Sequence, residues 1–176
     1  MNVPILETAR LKLRAHRPED FTACSAMWAD PIINRYTSGK PLTPEETWAK
    51  MLRYGGLWLM LGYGYWAVEE KSTGEFVGEL GFADFKRDLQ PPLDDTPEIG
   101  WCLVSRVHGK GYATEGINAA VAWCDQHFGA RRTSCIIHVE NAPSIRVAEK
   151  CGYREWQRTR YKNTDVILYT RESRAL

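Results

Sequence analysis

Between Glu98 and Gly116 the chain reads EIGWCLVSRVHGKGYATEG, and this stretch sets residues that hold an anion directly after a carboxylate-bearing strand. Ile99, Trp101, Leu103 and Val104 are the β-branched, aromatic and aliphatic types that fill a buried strand, and Glu98 opens it. The pattern breaks at His108-Gly109-Lys110-Gly111-Tyr112-Ala113, and from Ala113 apolar residues recur at helical spacing. Glycine permits positive φ and close approach of a ligand to the backbone, while the first helical turn offers orphan N–H groups at the positive end of the dipole. A phosphate suits such a turn, with Arg106 and Lys110 available to add charge. An ordinary tight strand-to-helix connection, with Arg106 as a surface residue, reads the same way.

The elements around this stretch follow from periodicity and punctuation. Arg10 to Ala15 alternates as a first strand, and Pro18-Glu19-Asp20 starts a helix with Phe21, Cys24, Met27 and Trp28 at helical spacing, stopped by Asp30-Pro31. A short piece holding Ile32, Ile33 and Tyr36 leads to a turn at Ser38 to Pro41. Thr43-Pro44-Glu45-Glu46 has the spacing of a capping box and predicts a helix to about Leu61, with Gly55-Gly56 as its weak point. Tyr65 to Glu70 and Glu75 to Phe85 read as a hairpin turning at Lys71 to Gly74, and Asp88 to Pro97 as a loop. After the central strand, Ala113, Ile117, Ala120, Val121, Cys124 and Phe128 form an apolar stripe that Gly129 ends. Ser134 to Val139 completes a strand–helix–strand unit, which implies parallel pairing. Asn141 to Ser144 begins a short helix through Cys151, and Tyr153 to Arg158 and Val166 to Arg171 read as a final antiparallel pair.

Composition narrows the class. At 176 residues the chain suits one domain, 1–176, with a sizeable core. A net charge of +1, from 23 basic and 22 acidic residues, argues against a nucleic-acid partner. Cys24, Cys102, Cys124, Cys135 and Cys151 are odd in number and form no CxxC pair, which predicts a reduced, cytoplasmic chain. The start carries no signal-peptide pattern, and the longest apolar tract, Gly55 to Val68, is too short and glycine-broken for a membrane span. His16, His108, His127 and His138 lack ligand spacing, so no metal is expected.

Taken together, EIGW, HGKGYATE, the crossover helix and NAPSIRVAEKCGY resemble the GNAT superfamily of N-acetyltransferases, in particular the RimJ and RimL branch of ribosomal-protein N-terminal acetyltransferases. The opening LETARLKLRAHRPEDF is similar to the first strand and helix of that branch, so the resemblance covers nearly the whole chain. It implies an α/β (α+β) fold with a central mixed, twisted sheet of six to seven strands and helices on both faces. It further implies acetyl-CoA as cosubstrate and a primary amine as acceptor, in a monomer or homodimer. By position, the pyrophosphate loop falls on His108 to Ala113, with His108 where the superfamily has Gln or Arg. The resemblance places cofactor contacts at Leu103, Val104, Arg106, His108, Gly109, Lys110, Gly111, Tyr112, Ala113, Thr114, Asn141 and Ser144. Asn141 is equally well a plain helix cap. A tyrosine that many members use to protonate the departing thiolate is Ala148 here, which leaves Ser144 or a water it holds.

The implied reaction needs a neutral amine. At pH 7 deprotonation costs about 1.4 kcal/mol for an α-amine and roughly 4.6 for a lysine amine. The family's carboxylate on the strand before the turn falls on Glu98, acting through water, with Glu79 in VGELGF as its competitor; either is also read as a solvated strand-end charge. The acceptor is expected over the central strands, among Trp28, Tyr36, Glu79 and Phe82, with Trp58 and Tyr63 extending an aromatic wall or simply filling core. Protein N-termini and small-molecule amines both fit. Cys102 and Cys151 read as packing, so no covalent intermediate is invoked. The alternatives are a nucleotide-dependent oxidoreductase domain, from Gly109-x-Gly111-x-x-Thr114 with Glu140 beyond it, and a non-catalytic acyl-CoA-binding module. The first lacks its third glycine and leaves only 36 residues after Glu140.

Overall fold

A computed structural model of the chain describes residues 3–93, 96–129 and 131–173. Its centre is one sheet in the order β1 (Leu6–Glu7), β2 (Leu11–Arg14), β3 (Tyr65–Glu70), β4 (Phe76–Ala83), β5 (Glu98–Leu103), β6 (Thr133–His138), β8 (Thr164–Arg171) and β7 (Arg154–Tyr161). That is eight strands among the described residues, one more than the sequence supports. The addition is β1, whose two residues carry no alternation to read. Every pairing is antiparallel except β5 with β6. A dinucleotide-binding domain needs a mostly parallel sheet, so the oxidoreductase alternative falls.

The helices are α1 (Phe21–Ala29), which a 3-10 turn at Pro18–Asp20 leads into, α2 (Pro31–Asn34), α3 (Pro44–Leu61), α4 (Tyr112–Phe128) and α5 (Ala142–Lys150). The capping box that opens α3 is made: Thr43 Oγ1 accepts from the Glu46 N–H at 3.2 Å and Glu46 accepts from the Thr43 N–H at 2.8 Å. α3 runs through Gly55-Gly56 unbroken, because its buried stripe of Met51, Tyr54, Leu57 and Trp58 is anchored on both sides of the pair. Asp30 ends α1 and caps α2, its carboxylate accepting from the Ile32 N–H.

The two faces of the sheet are covered by different helices. On one, Leu11, Leu13, Leu80, Phe82, Ile99 and Leu103 meet Ile117, Ala120 and Cys124 of α4. On the other, Ala67 and Phe76 meet Cys24, Met27 and Trp28 of α1 and Met51 of α3, while Tyr65 and Ala83 meet Tyr54 and Leu57. No helix among the described residues is long and apolar enough to cross a membrane.

One irregularity shapes the molecule. β5 pairs with β4 along its whole length, from Ala83–Glu98 to Gly78–Leu103, and β8 pairs with β6 from Thr133 to His138. Yet β5 and β6 meet only at Glu98 and Ser134. From that point the strands diverge towards their C-terminal ends, and the backbone groups that face the gap have no ladder partner across it.

Candidate active site

At the wide end of this gap stands the glycine turn. Gly109 and Gly111 hold φ values of 76° and 80°, a region other residues enter at a cost of roughly 1–2 kcal/mol. Gly111 is the N-cap of α4 and no side chain caps that end, so the first-turn N–H groups are left without a side-chain acceptor. A helix start of this kind is suited to hold an anion through backbone groups. His108 does not contribute its ring to it: Nε2–H donates to the Leu103 carbonyl at 2.8 Å, folding the imidazole back onto the end of β5. The residue that departs from the superfamily pattern thus pins the turn to the strand it follows.

The flank of the turn is tied to the start of the chain. Arg10 Nη1 donates to the Lys110 carbonyl at 2.8 Å, and Arg10 pairs with Glu115 at 2.6 Å. Glu115 also accepts from Thr8 Oγ1 and from the Arg10 N–H. Burial would push Glu115 up, but these hydrogen bonds outweigh it and hold the carboxyl below its ordinary range. Arg106 spends its charge on Glu75 at 2.6 Å, and the Tyr112 hydroxyl donates to Glu70. Ala113 and Thr114 lie in the first turn of α4, with Lys110 exposed beside them.

Across the gap, Asn141 Oδ1 accepts from the Ser144 N–H at 3.3 Å, the cap geometry expected for the start of α5. The half-buried Ser144 follows in the first turn. Cys151 Sγ donates to the Thr114 carbonyl at 3.8 Å, which ties the end of α5 to the start of α4. Leu103 and Val104 form the edge of β5 on the way to the turn, Leu103 buried and Val104 half-buried. Tyr36, from the link between α2 and α3, packs on His138 at the end of β6, with ring centroids 5.1 Å apart.

Both candidate bases lie on the face covered by α1 and α3. Glu98 is opposite Ala83 in the ladder, and Glu79 is opposite Cys102, so the backbone positions of the two glutamates are offset by four residues, about 13 Å, along β4. Between them Tyr65 lies flat: a Cβ on Gly100 would stand 2.0 Å from its hydroxyl, which only glycine avoids. Glu98 is engaged on both oxygens by Arg87, at 2.7 and 2.8 Å, a guanidinium that also stacks on Phe85 and Tyr161. Glu79 is 1% exposed, and its Oε1 accepts from Trp28 Nε1 at 3.1 Å and from the Tyr54 hydroxyl. Its Oε2 stands 3.6 Å from His16 Nε2, too far for a hydrogen bond. Burial pushes Glu79 up, but His16, Lys50 and Tyr54 together reverse this and keep the carboxyl below its ordinary range. Lys50, held over the Trp28 ring at 4.1 Å, is pushed down by the same burial.

The aromatic wall divides. Trp28 belongs to this face, and Tyr36 stands at the mouth of the gap. Phe82 is fully buried on the opposite face under α4, and Trp58 packs with Trp66 and Trp123 in the same core, where Tyr63 meets Phe128. His16, Lys50, Tyr54 and Arg87 are the residues sequence reasoning passed over. Each reaches the site from a different element, and no spacing along the chain announces such a meeting. Among the described residues, one group has metal-ligand atoms close together: His16, Cys24 and Glu79, within 4.8 Å of one another. Burial pushes the Cys24 thiol well up, and the Glu79 charge pushes it the same way.

Comparison with known proteins agrees with this geometry. The family described as acetyltransferase (GNAT) domain matches residues 10–154. The uncharacterized protein YkkB of Bacillus subtilis (strain 168) is 31% identical over 174 residues, covering 96% of this chain and 95% of YkkB. A putative GnaT-family acetyltransferase from Bordetella pertussis superposes with a TM-score of 0.85 at 28% identity, over 96% of this chain and 99% of that one. The ribosomal L7/L12 α-N-protein acetyltransferase RimL, solved in complex with coenzyme A, shares the fold at a TM-score of 0.78 and 19% identity, over 96% and 98% of the two chains. With a glycine turn at the mouth of a splayed parallel strand pair and the family's match over most of its length, the chain belongs to the GNAT family and is an acetyl-CoA-dependent N-acetyltransferase.

Proposed function

We propose that this chain transfers acetyl from acetyl-CoA to a primary amine, either a small molecule or a protein N-terminal α-amine, by direct attack in a ternary complex. The observation that carries this reading is the divergence of β5 from β6 above Glu98 and Ser134, with the uncapped start of α4 at its mouth. The residues present fit the cosubstrate. Backbone N–H groups from Gly109 to Thr114 hold the pyrophosphate, supported by Lys110, with His108 shaping the turn from behind and Arg106 held aside by Glu75. Leu103 and Val104 edge the gap, with unpaired backbone groups to meet an amide-bearing arm. When bound, acetyl-CoA supplies an electrophilic thioester carbonyl and a thiolate leaving group. Ser144, or a water it holds, returns a proton to that sulfur.

The cysteines take no covalent part. Burial raises the Cys151 thiol to about 11 and Cys102 well above its ordinary value, so neither is a thiolate near neutrality. Five free cysteines suit a reducing, cytoplasmic setting. An acetyl transferase from Salmonella typhimurium is described as modifying the N-terminal serine of 50S ribosomal subunit protein L7/L12; an α-amine costs less to deprotonate than a lysine amine, which keeps a protein N-terminus beside small amines among the acceptors of this reading.

Calorimetric titration with coenzyme A and NAD, followed by thiol release from acetyl-CoA across an amine panel, tests the reading. Coenzyme A is expected to bind and NAD not, with thiol release for at least one amine. No heat from coenzyme A overturns it, and binding without thiol release for any amine makes the chain an acyl-CoA-binding module.

A further inference from the structure

The two most exposed large apolar side chains among the described residues, Met60 at 82% and Leu59 at 74%, stand on α3, as do Leu52 at 59% and Trp48 at 40%. Steps of four and seven residues set Trp48, Leu52 and Leu59 on one face, turned away from the buried stripe of Met51, Tyr54, Leu57 and Trp58. Ala49, Gly55 and Gly56 lie between them. Glycine inside a helix is costly relative to alanine, and nothing within the chain calls for it here. A Cβ built on either glycine meets nothing within 4 Å, and neither residue holds a positive φ. The helix also keeps its two cations off this face. Lys50 turns inward over the Trp28 ring at 4.1 Å, and Arg53 leans aside over Phe85 at 5.1 Å. Beside the stripe, a cavity of about 200 Å³ shares Trp48, Leu52 and Gly55 with it and reaches in to Met51, Trp58 and Tyr65.

We propose that this face of α3 is the interface between two copies of the chain, paired antiparallel about a two-fold axis at the level of residue 54. The inference stands apart from the acetyl-transfer reading. A two-fold contact must be complementary to itself, and the order of side-chain sizes along α3 is so. An axis at residue 54 sets Leu52 level with the partner's Gly56 and Leu59 level with the partner's Ala49, so each large side chain meets a small one. Trp48 comes level with the partner's Met60, a thioether against an aromatic ring. The glycines let the two helix backbones approach closely, and the partner's helix covers the mouth of the cavity. Size agrees as well. The four exposed side chains present roughly 500 Å² per protomer, so a two-fold pair covers about 1,000 Å², where specific interfaces begin. A membrane surface fits the face less well, because a helix lying on lipid sets lysines and arginines beside its apolar side, and here Glu45 and Glu46 flank its start. The pairing also braces the helix whose Tyr54 hydroxyl donates to Glu79, so it bears on the acceptor face of the sheet.

Sedimentation equilibrium of the full chain tests the proposal, with Leu59→Glu and Gly56→Leu as variants. The wild type is expected to dimerise with a Kd of about 10 μM or tighter. Leu59→Glu places a carboxylate in the interface and Gly56→Leu fills the space that Leu52 of the partner subunit needs, so each is expected to raise Kd at least tenfold. Gly56→Leu separates docking from folding: it improves the helix propensity of α3, so the urea midpoint of the dilute monomer is expected to hold or rise while the dimer weakens. Register is read by cross-linking. Oxidising a mixture of Ala49→Cys and Leu59→Cys chains is expected to give a covalent dimer, and oxidising either variant alone, or the wild type with its buried and half-buried cysteines, is not. A chain that stays monomeric to about 100 μM, or a dimer that both substitutions leave intact, overturns the proposal. Cross-linking by either cysteine variant alone overturns the antiparallel pairing. A monomer that floats with phosphatidylcholine and phosphatidylglycerol vesicles, and loses this with Leu59→Glu, assigns the face to a membrane instead.

Discussion

Glu98 and Glu79 share one face of the sheet, but their neighbours suit them to different tasks. Arg87 already donates to both oxygens of Glu98, whereas Glu79 keeps one oxygen unsatisfied beside an imidazole. Glu98→Gln is therefore expected to weaken the protein by about 1–3 kcal/mol, since Arg87 loses its charged partner. Turnover is expected to fall less than tenfold. Urea unfolding and steady-state kinetics check both, and a hundredfold loss of turnover at intact stability would make Glu98 the base. A second buried pair is structural. Arg14 donates to Asp20 through both terminal nitrogens at 2.8 Å and to Glu69 at 2.7 Å. Asp20→Ala strands that guanidinium inside the protein and is expected to cost about 3–5 kcal/mol, read from the urea midpoint. The carboxylates and the glycine turn were visible as residue types in the sequence. Their partners were not, because Arg87, His16 and Tyr54 approach through folding and share no local pattern with the groups they meet.

At the level of elements, the cradle depends on a backbone conformation more than on any side chain. Gly111→Ala forces a Cβ into the left-handed region at the N-cap of α4, while the nearest atom, Arg10 Nη2 at 3.4 Å, presents no clash. The expected cost is about 1–2 kcal/mol of stability, with the first-turn N–H groups re-aimed and coenzyme A affinity lowered at least tenfold. Calorimetry reads the second, and unchanged affinity would mean that the turn does not hold the pyrophosphate. Capping boxes, glycine stops and apolar stripes are local, so the ends of α3 and α4 were legible from the chain alone. β1 was not legible, since two residues become a strand only by pairing with Leu13 and Lys12 of β2.

For the whole molecule, several carboxylates act together on stability. Asp20, Glu79, Asp84 and Glu115 each feel a burial that would raise them and partners that outweigh it, so all are held below their ordinary values of 3.8 for Asp and 4.5 for Glu. A carboxyl lowered on folding contributes stability that is complete above its unfolded value and is lost as pH falls through its folded one. Urea midpoints are therefore expected to hold from pH 7 to about 5 and drop steeply below about pH 4, less steeply in Asp20→Asn; a flat profile to pH 3 would contradict the ion pairs. The chain by itself determined the order of elements, the glycine turn and the class of fold. These rest on periodicities of two and 3.6 and on turn chemistry, both of which act between near neighbours. Only the tertiary structure decided that β5 and β6 part after one register pair, that Phe82 and Glu79 fall on opposite faces, and that a histidine from the end of β2 comes to rest beside a buried carboxylate on β4. Those outcomes depend on contacts between residues far apart in the chain, which side-chain volume and strand register select and local sequence does not record.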